Sequence, residues 1–423
     1  MGSRLARLTS MLPLVAVLTY RRRGLVLIVV LLTIRCGSSG SDQGSPAAPP
    51  SSPPSSPTGG RLEITSETIG DEIDPDGYSI ILDGGASTPL AVSGSLDFED
   101  LAPGLHAIEV QGIAPNCRLT NHPSSQDISI EGDHVLIVEL VILCLRPNPG
   151  RILYSTVSGS IYTISALGGD RDQVTKPALI RAGAVAVSPA DGRIAFDTRW
   201  GGAVSASDIW VVNADGSNPV NLTNTFEPSE SKPSWSPDGN RIAYKRQEVF
   251  GGPGAFYDIF VQNPDGSGLT NLTNTPDWSE GEPAWSPDGT RIVFRNSATG
   301  GGELYTMRPD GTDLTQLTTA GNLDTNAKWS PDGSQLVFTR FTSTDFELFV
   351  INADGTGLTQ LTRDPGRSSE PNWFPDGRWI VFSSRQPSAT NGMFDLFLMR
   401  RDGSDRVQLT FGEKTGFPVW IPQ

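Results

Sequence analysis

From about residue 150 onward the chain alternates short apolar runs with clusters of turn residues. RIAYKR (241–246) and DIFVQ (258–262) are typical: brief, mostly apolar, and bounded by Gly, Pro, Asn or Asp. Runs of that length between such boundaries read as strands rather than helices. One stretch serves for all. PSW (233–235) is strand A, RIAYKR is strand B, DIFVQ is strand C and LTNLT (269–273) is strand D. SPDG joins A to B, and NPDG (263–266) joins C to D. In such turns Pro presets φ, Asp bonds the nearby backbone and Gly accepts the closing conformation. Side chains on both faces of B and C are apolar, which predicts burial on both sides.

The pattern repeats. WSPDG stands at 235–239, 285–289 and 329–333, WFPDG at 373–377 and SPADG at 188–192. The glycines Gly192, Gly239, Gly289, Gly333 and Gly377 are 47, 50, 44 and 44 residues apart. Four strands per unit at this period predict a β-propeller. Strand B begins at Arg151, Arg193, Arg241, Arg291, Gln335 and Trp379, giving six blades. The first has no strand A of its own. FPVWIPQ (417–423) supplies one, so the C-terminal strand is expected to close blade one. Trp235, Trp285, Trp329, Trp373 and Trp420 hold one position per blade, where a large flat side chain fills the wedge between neighbours. Arg246, Arg295, Arg340 and Arg385 are expected to bridge to Asp258, Glu303, Glu347 and Asp395 within their blades.

The series PxWSPDGxRIxF, DIxVxNxDG and LT resembles the propeller repeats of the TolB family across residues 148–423. That resemblance implies a six-bladed propeller and a periplasmic docking role. It also implies an N-terminal α/β domain, from which this chain departs. Residues 61–147 carry alternating β-type runs (RLEIT, YSIILDG, HAIEVQG, DISIEG, HVLIVELVIL) that predict a small β-sandwich. GYSIILDG followed by LAPGLHAIEVQG resembles the PEGA-type domains of bacterial envelope proteins. The expected class is therefore all-β.

The first 36 residues read as an export signal: Arg21, Arg22 and Arg23 precede GLVLIVVLLTI (24–34). That core is too short for a bilayer, which needs roughly 20 residues. Cys36 and the Pro/Ser/Gly-rich linker 37–60 resemble a bacterial lipoprotein, which implies lipid on Cys36; ordinary cleavage near Ser38 is the alternative. In an exported domain the pair Cys117 and Cys144 reads as a disulfide, worth about 3 kcal/mol, rather than two free thiols.

Charge narrows the function. Formal net charge is −15, which argues against nucleic acid as a partner. His106, His122 and His134 all precede the propeller, and the propeller has no Cys, which removes His-based triads and His-rich metal centres there. No GxSxG elbow occurs. No cofactor and no metal are expected. NLT at Asn221 and Asn271 matches a glycosylation sequon but reads as the strand D repeat.

The A–B and C–D turns are near copies, whereas the B–C and D–A loops differ from blade to blade. Variable loops on a rigid scaffold are where binding resides. Three residues before each strand A Trp, Lys232, Glu282, Asn326, Glu370 and Phe417 are expected at the channel mouth on that face. The set is mixed polar and mildly acidic. The reading is a non-catalytic, monomeric, exported scaffold that binds an envelope protein or peptide, touching membrane only through a lipid anchor. The alternative is a carbohydrate-active enzyme or glycan-binding module using Glu282 and Glu370. Charge reversal at those two mouth positions is expected to change stability by no more than about 1 kcal/mol.

Overall fold

The computed structural model describes residues 59–146, 149–175, 182–198, 207–225, 227–248, 256–275, 278–298, 300–319, 321–363, 366–385, 394–412 and 415–421. The expected export signal, Cys36 and nearly all of the 37–60 linker lie outside them. Among the described residues every regular element is a strand.

The first eight strands form two four-stranded sheets. One places Gly94–Leu101, Gly60–Gly70, Val135–Cys144 and Cys117–Leu119 side by side, with Gly60–Gly70 parallel to Val135–Cys144. The other orders Thr88–Leu90, Tyr78–Leu82, Gly104–Gln111 and Ser125–Ile130. Alternation along Gly60–Gly70 buries Leu62 and Ile64 completely. They share one core with Ile80, Ile108, Leu140 and Ile142. A disulfide joins Cys117 to Cys144, directly opposite each other on neighbouring strands.

Six further four-stranded sheets follow in series. The third has strand A at Glu230–Trp235, B at Ile242–Gln247, C at Tyr257–Gln262 and D at Thr270–Asn271. Strand A is twice its expected length and strand D is shorter. The first sheet of the series pairs Thr415–Ile421 antiparallel with Arg151–Thr156, uniting the two ends of the repeat. A hydrophobic cluster lies between each sheet and the next. Phe196 packs with Leu153, Trp235 with Ile209, Trp285 with Ile259, Phe338 with Leu304, and Trp373 with Leu348. The sixth cluster joins the last sheet to the first through Leu396, Trp379, Tyr154 and Trp420. Successive residues of strand B serve opposite neighbours: Tyr244 faces the second sheet and Ala243 the fourth. Fully burying one such aromatic contributes roughly 2–3 kcal/mol.

The repeated turn spelling has a local cause. Ser236 donates its hydroxyl to Asp238 at 2.5 Å and accepts the Arg241 N–H at 2.9 Å, while Asp238 also accepts the Asn240 N–H. Gly239 closes the turn at φ 67°. The same set recurs at Ser286–Asp288 and Ser330–Asp332. Asp332 is held down at about 2, mainly by its bond from Ser330.

Trp379, where four of the other units begin strand B with Arg and one with Gln335, marks the seam with the first two sheets. Its indole donates to Asp71 at 2.7 Å, and Arg400 donates to Asp71 and to the Gly70 carbonyl. Arg118 donates to the Leu167 carbonyl across the same seam. The arginine bridges also differ from expectation. Arg340 grips Asp324 on strand A with two bonds of 2.6 and 2.7 Å, and Arg246 lies 3.7 Å from Glu230 on strand A. Both stand in register with those acids. Arg295 is one residue earlier in its strand and therefore faces the other way, toward Glu282 at 4.0 Å. Asn296 takes the buried place and donates to Glu280 at 2.9 Å.

Candidate functional site

Strand A is irregular at one point in every sheet of the series. The pairing register with strand B shifts between Ala182 and Val185, Ser231 and Ser234, Gly281 and Ala284, Thr325 and Lys328, Ser369 and Asn372, and Gly416 and Val419. Inside five of these six bulges one residue turns left-handed: Lys232, Glu282, Asn326, Glu370 and Phe417, with φ between 51° and 59°. For residues with a Cβ this conformation costs about 1–2 kcal/mol. Pro233, Pro283, Pro371 and Pro418 follow four of the five. Proline has no N–H to lose where the ladder is broken, so it suits the bulge. A bulge re-aims a side chain, and here it aims all five expected mouth residues into one pocket, collared by those prolines.

The N–H groups released by the bulges are taken by the preceding sheet. Lys232 N–H donates to Asp197 at 2.9 Å, Asn326 N–H to Glu282 at 2.9 Å, and Phe417 N–H to Glu370 at 2.8 Å. Glu370 N–H donates to the Thr339 hydroxyl. Glu282 and Glu370 therefore hold backbone. They are not loose surface charges, so the exposure on which a nearly unchanged stability was expected is not what the structure shows. Burial pushes Glu282 up, but Lys232, Arg295 and hydrogen bonds from Thr325 and Asn326 outweigh it, and its pKa is lowered.

The cations are placed differently. Lys232 Nζ sits 3.9 Å over the Phe417 ring and donates to Asn326 Oδ1 at 3.2 Å. Lys328 also lines the pocket, and burial, reinforced by Lys232, brings it down to about 8 despite Glu282. Lys245 is lowered by burial too. A second groove adjoins the pocket, shares Glu282, Asn326 and Glu370 with it, and adds Arg295, Phe346 and Arg367. Arg367 stacks on Phe346 at 4.1 Å.

Sequence reasoning found the five bulge residues and missed Lys328, Lys245, Arg295 and Arg367. Lys328 had a visible signal: AKW stands where sister strands read PSW, PAW and PNW. Arg295 had one as well: it stands four residues after Arg291, whereas Arg246 stands five after Arg241, and the strand period of two turns it to the other face; Arg367 had none. The sequon-like asparagines are occupied structurally, with Asn221 donating to Asp208 at 2.8 Å and Asn271 to Asp258 at 2.7 Å. Among the described residues no group of three or more His, Cys, Asp or Glu is arranged to hold a metal ion.

Comparison with known families bears on this geometry. The model described as TolB beta propeller domain matches residues 187–344 and 329–423, more than half of the chain. The chain belongs to the TolB beta-propeller family. Among solved structures, TolB from Acinetobacter baumannii is similar at a TM-score of 0.54 and 18% identity, over 65% of this chain and 67% of that one. Hydrazine synthase of Kuenenia stuttgartiensis is similar at a TM-score of 0.51 and 15% identity, over 64% of this chain and 46% of that one. The nidogen/laminin complex gives a TM-score of 0.50 at 13% identity, over 63% and 97%. Identities this low speak for the fold alone. No curated protein matches the chain.

Proposed function

We propose that this TolB-type protein is a non-catalytic, exported cell-envelope scaffold that binds a peptide segment of a partner at the bulge end of its sheets. In this reading the six sheets are the blades of a closed propeller, the first two sheets are a PEGA-like β-sandwich, and Cys36 carries a lipid anchor. Domain boundaries fall at 36, 60 and 147.

One observation carries the reading. Five bulges spend backbone strain to aim five different side chains into a single pocket. Strain held at one spot by the surrounding structure is a mark of a site. The opposite end holds turns whose polar groups bond one another within a few residues. Family membership supports an envelope role. The test is capture from envelope extract by immobilised full-length protein, comparing wild type with Phe417→Ala, Lys232→Ala and the turn variant Asp288→Ala. Loss of the same partner bands in both mouth variants, with capture kept in the turn variant, is expected. Capture lost only in the turn variant would place binding at the other end and refute the proposal.

A further inference from the structure

The three carboxylates around the axial pocket are already committed. Asp197, Glu282 and Glu370 each accept the N–H of a bulge residue on the next sheet. The ammonium groups are not so engaged. Among the described residues Lys232 and Lys328 have no carboxylate within ion-pair distance. The same holds for Lys245, which lies over the Tyr257 ring at 4.7 Å. In the adjoining groove Arg295 and Arg367 each keep a buried Nε without a hydrogen-bond partner, Arg295 having only the distant Glu282 at 4.0 Å. A chain of formal charge −15 has thus gathered cations at one spot and spent the neighbouring acids on its own backbone.

Resting on the peptide-binding reading above, we infer that the pocket and groove together recognise an acidic peptide, its carboxylates meeting Lys232 and Lys328 in the pocket and Arg295 and Arg367 in the groove. Buried donors without partners are costly, and a carboxylate supplies acceptors to both kinds of cation. The site is elongated: two cavities adjoin and share Glu282, Asn326 and Glu370, which suits an extended chain better than a small free anion. Apolar surface sits between the charges, at Phe417, Phe346 and the proline collar, and can take the aliphatic parts of a peptide. Asn326 offers an amide for a peptide backbone. Nucleic acid is disfavoured by the overall negative charge, which acts beyond the pocket. Burial weakens the proton's hold on Lys328, so an entering carboxylate strengthens that hold and gains from it.

The experiment uses full-length protein and fluorescence polarisation. The probes are two fluorescein-labelled hexapeptide pools, one with Glu and one with Gln at alternate positions, the rest randomised. Fluorescein-labelled polygalacturonate serves as a third, polyanionic glycan probe. Wild type is expected to bind the Glu pool at least tenfold more tightly than the Gln pool. Lys328→Met should reduce that preference at least fivefold, and Lys328→Arg should keep it. If Lys328→Met does not fold, Lys232→Met is read in the same way. Equal binding of both pools overturns the carboxylate inference and leaves the peptide reading standing. Binding of polygalacturonate with neither pool overturns both in favour of a glycan. Absence of binding to all three also overturns both.

Discussion

The two ends of the repeated sheets use the same bond in opposite ways. At the turn end Asp238, Asp288 and Asp332 accept backbone N–H groups two residues away, along with the hydroxyl of the serine two residues before. At the bulge end Asp197, Glu282 and Glu370 accept N–H groups 35, 44 and 47 residues away, on the next sheet. The turn bonds need no partner outside the turn itself. The bulge bonds exist only once two sheets have packed. A carboxylate at the turn end therefore stabilises one turn, while one at the bulge end holds neighbouring sheets in register and sets the shape of the pocket.

The sharpest way to break this contrast is to remove the longest-range contact. Deleting 417–423 takes Trp420 from its cluster and strips most of strand A from Arg151–Thr156. A loss of several kcal/mol, or of cooperative unfolding altogether, is expected in chemical denaturation. A denaturation midpoint equal to wild type would mean that the series is stable without its joined ends.

Next comes charge reversal across the sheets. Glu282→Lys combined with Glu370→Lys removes acceptors from Asn326 and Phe417 and adds positive charge beside Lys232 and Lys328. The double variant should lose roughly 3–5 kcal/mol, since it breaks partly buried charged bonds. A change below about 1 kcal/mol would return these residues to the class of exposed surface charges.

The two ends should also answer pH with opposite sign. Glu230 and Glu280 open strand A, fully buried, and burial raises each to about 7; Arg246 and Thr225 oppose this at Glu230, and Thr275 opposes it at Glu280. Their ordinary value is 4.5, so the unfolded chain releases these protons first as pH rises. Stability should fall between pH 4.5 and 7, by on the order of 2–3 kcal/mol for each group. The turn aspartates, exemplified by Asp332 at about 2, instead contribute stability above pH 4 that is lost as pH falls toward 2. Thermal melts should therefore peak near pH 4.5–5, and Glu280→Gln should flatten the decline on the alkaline side. A melting temperature that rises from pH 5 to 7.5 would contradict the assignment.

The smallest effect belongs to a single turn. Asp288→Ala should cost about 1 kcal/mol, the loss of one local hydrogen-bond set, with the pocket unchanged. A larger loss, or weaker binding of the acidic peptide pool, would show that the turn communicates with the far end.

Much was legible in the sequence because much is local. Turn spelling, the extents of strands B and C and the repeat interval follow from bonds made within one unit, and each unit states them again, as it does the tryptophan position. The five bulge residues were legible by the same repetition, counted back from Trp. Strand A itself was underestimated, because its first half is held by the bulge and by the neighbouring sheet rather than by its own apolar pattern.

What the sequence by itself determined is therefore the unit: four short strands, two tight turns, and a fixed place for Trp. Only the tertiary structure decided what lies between units. It engaged Glu282 and Glu370 with backbone and left Lys232 and Lys328 facing the pocket. The physical reason is range. A strand's period of two fixes which side chains share a face, but which charge meets which across a gap depends on the register of a sheet more than thirty residues away.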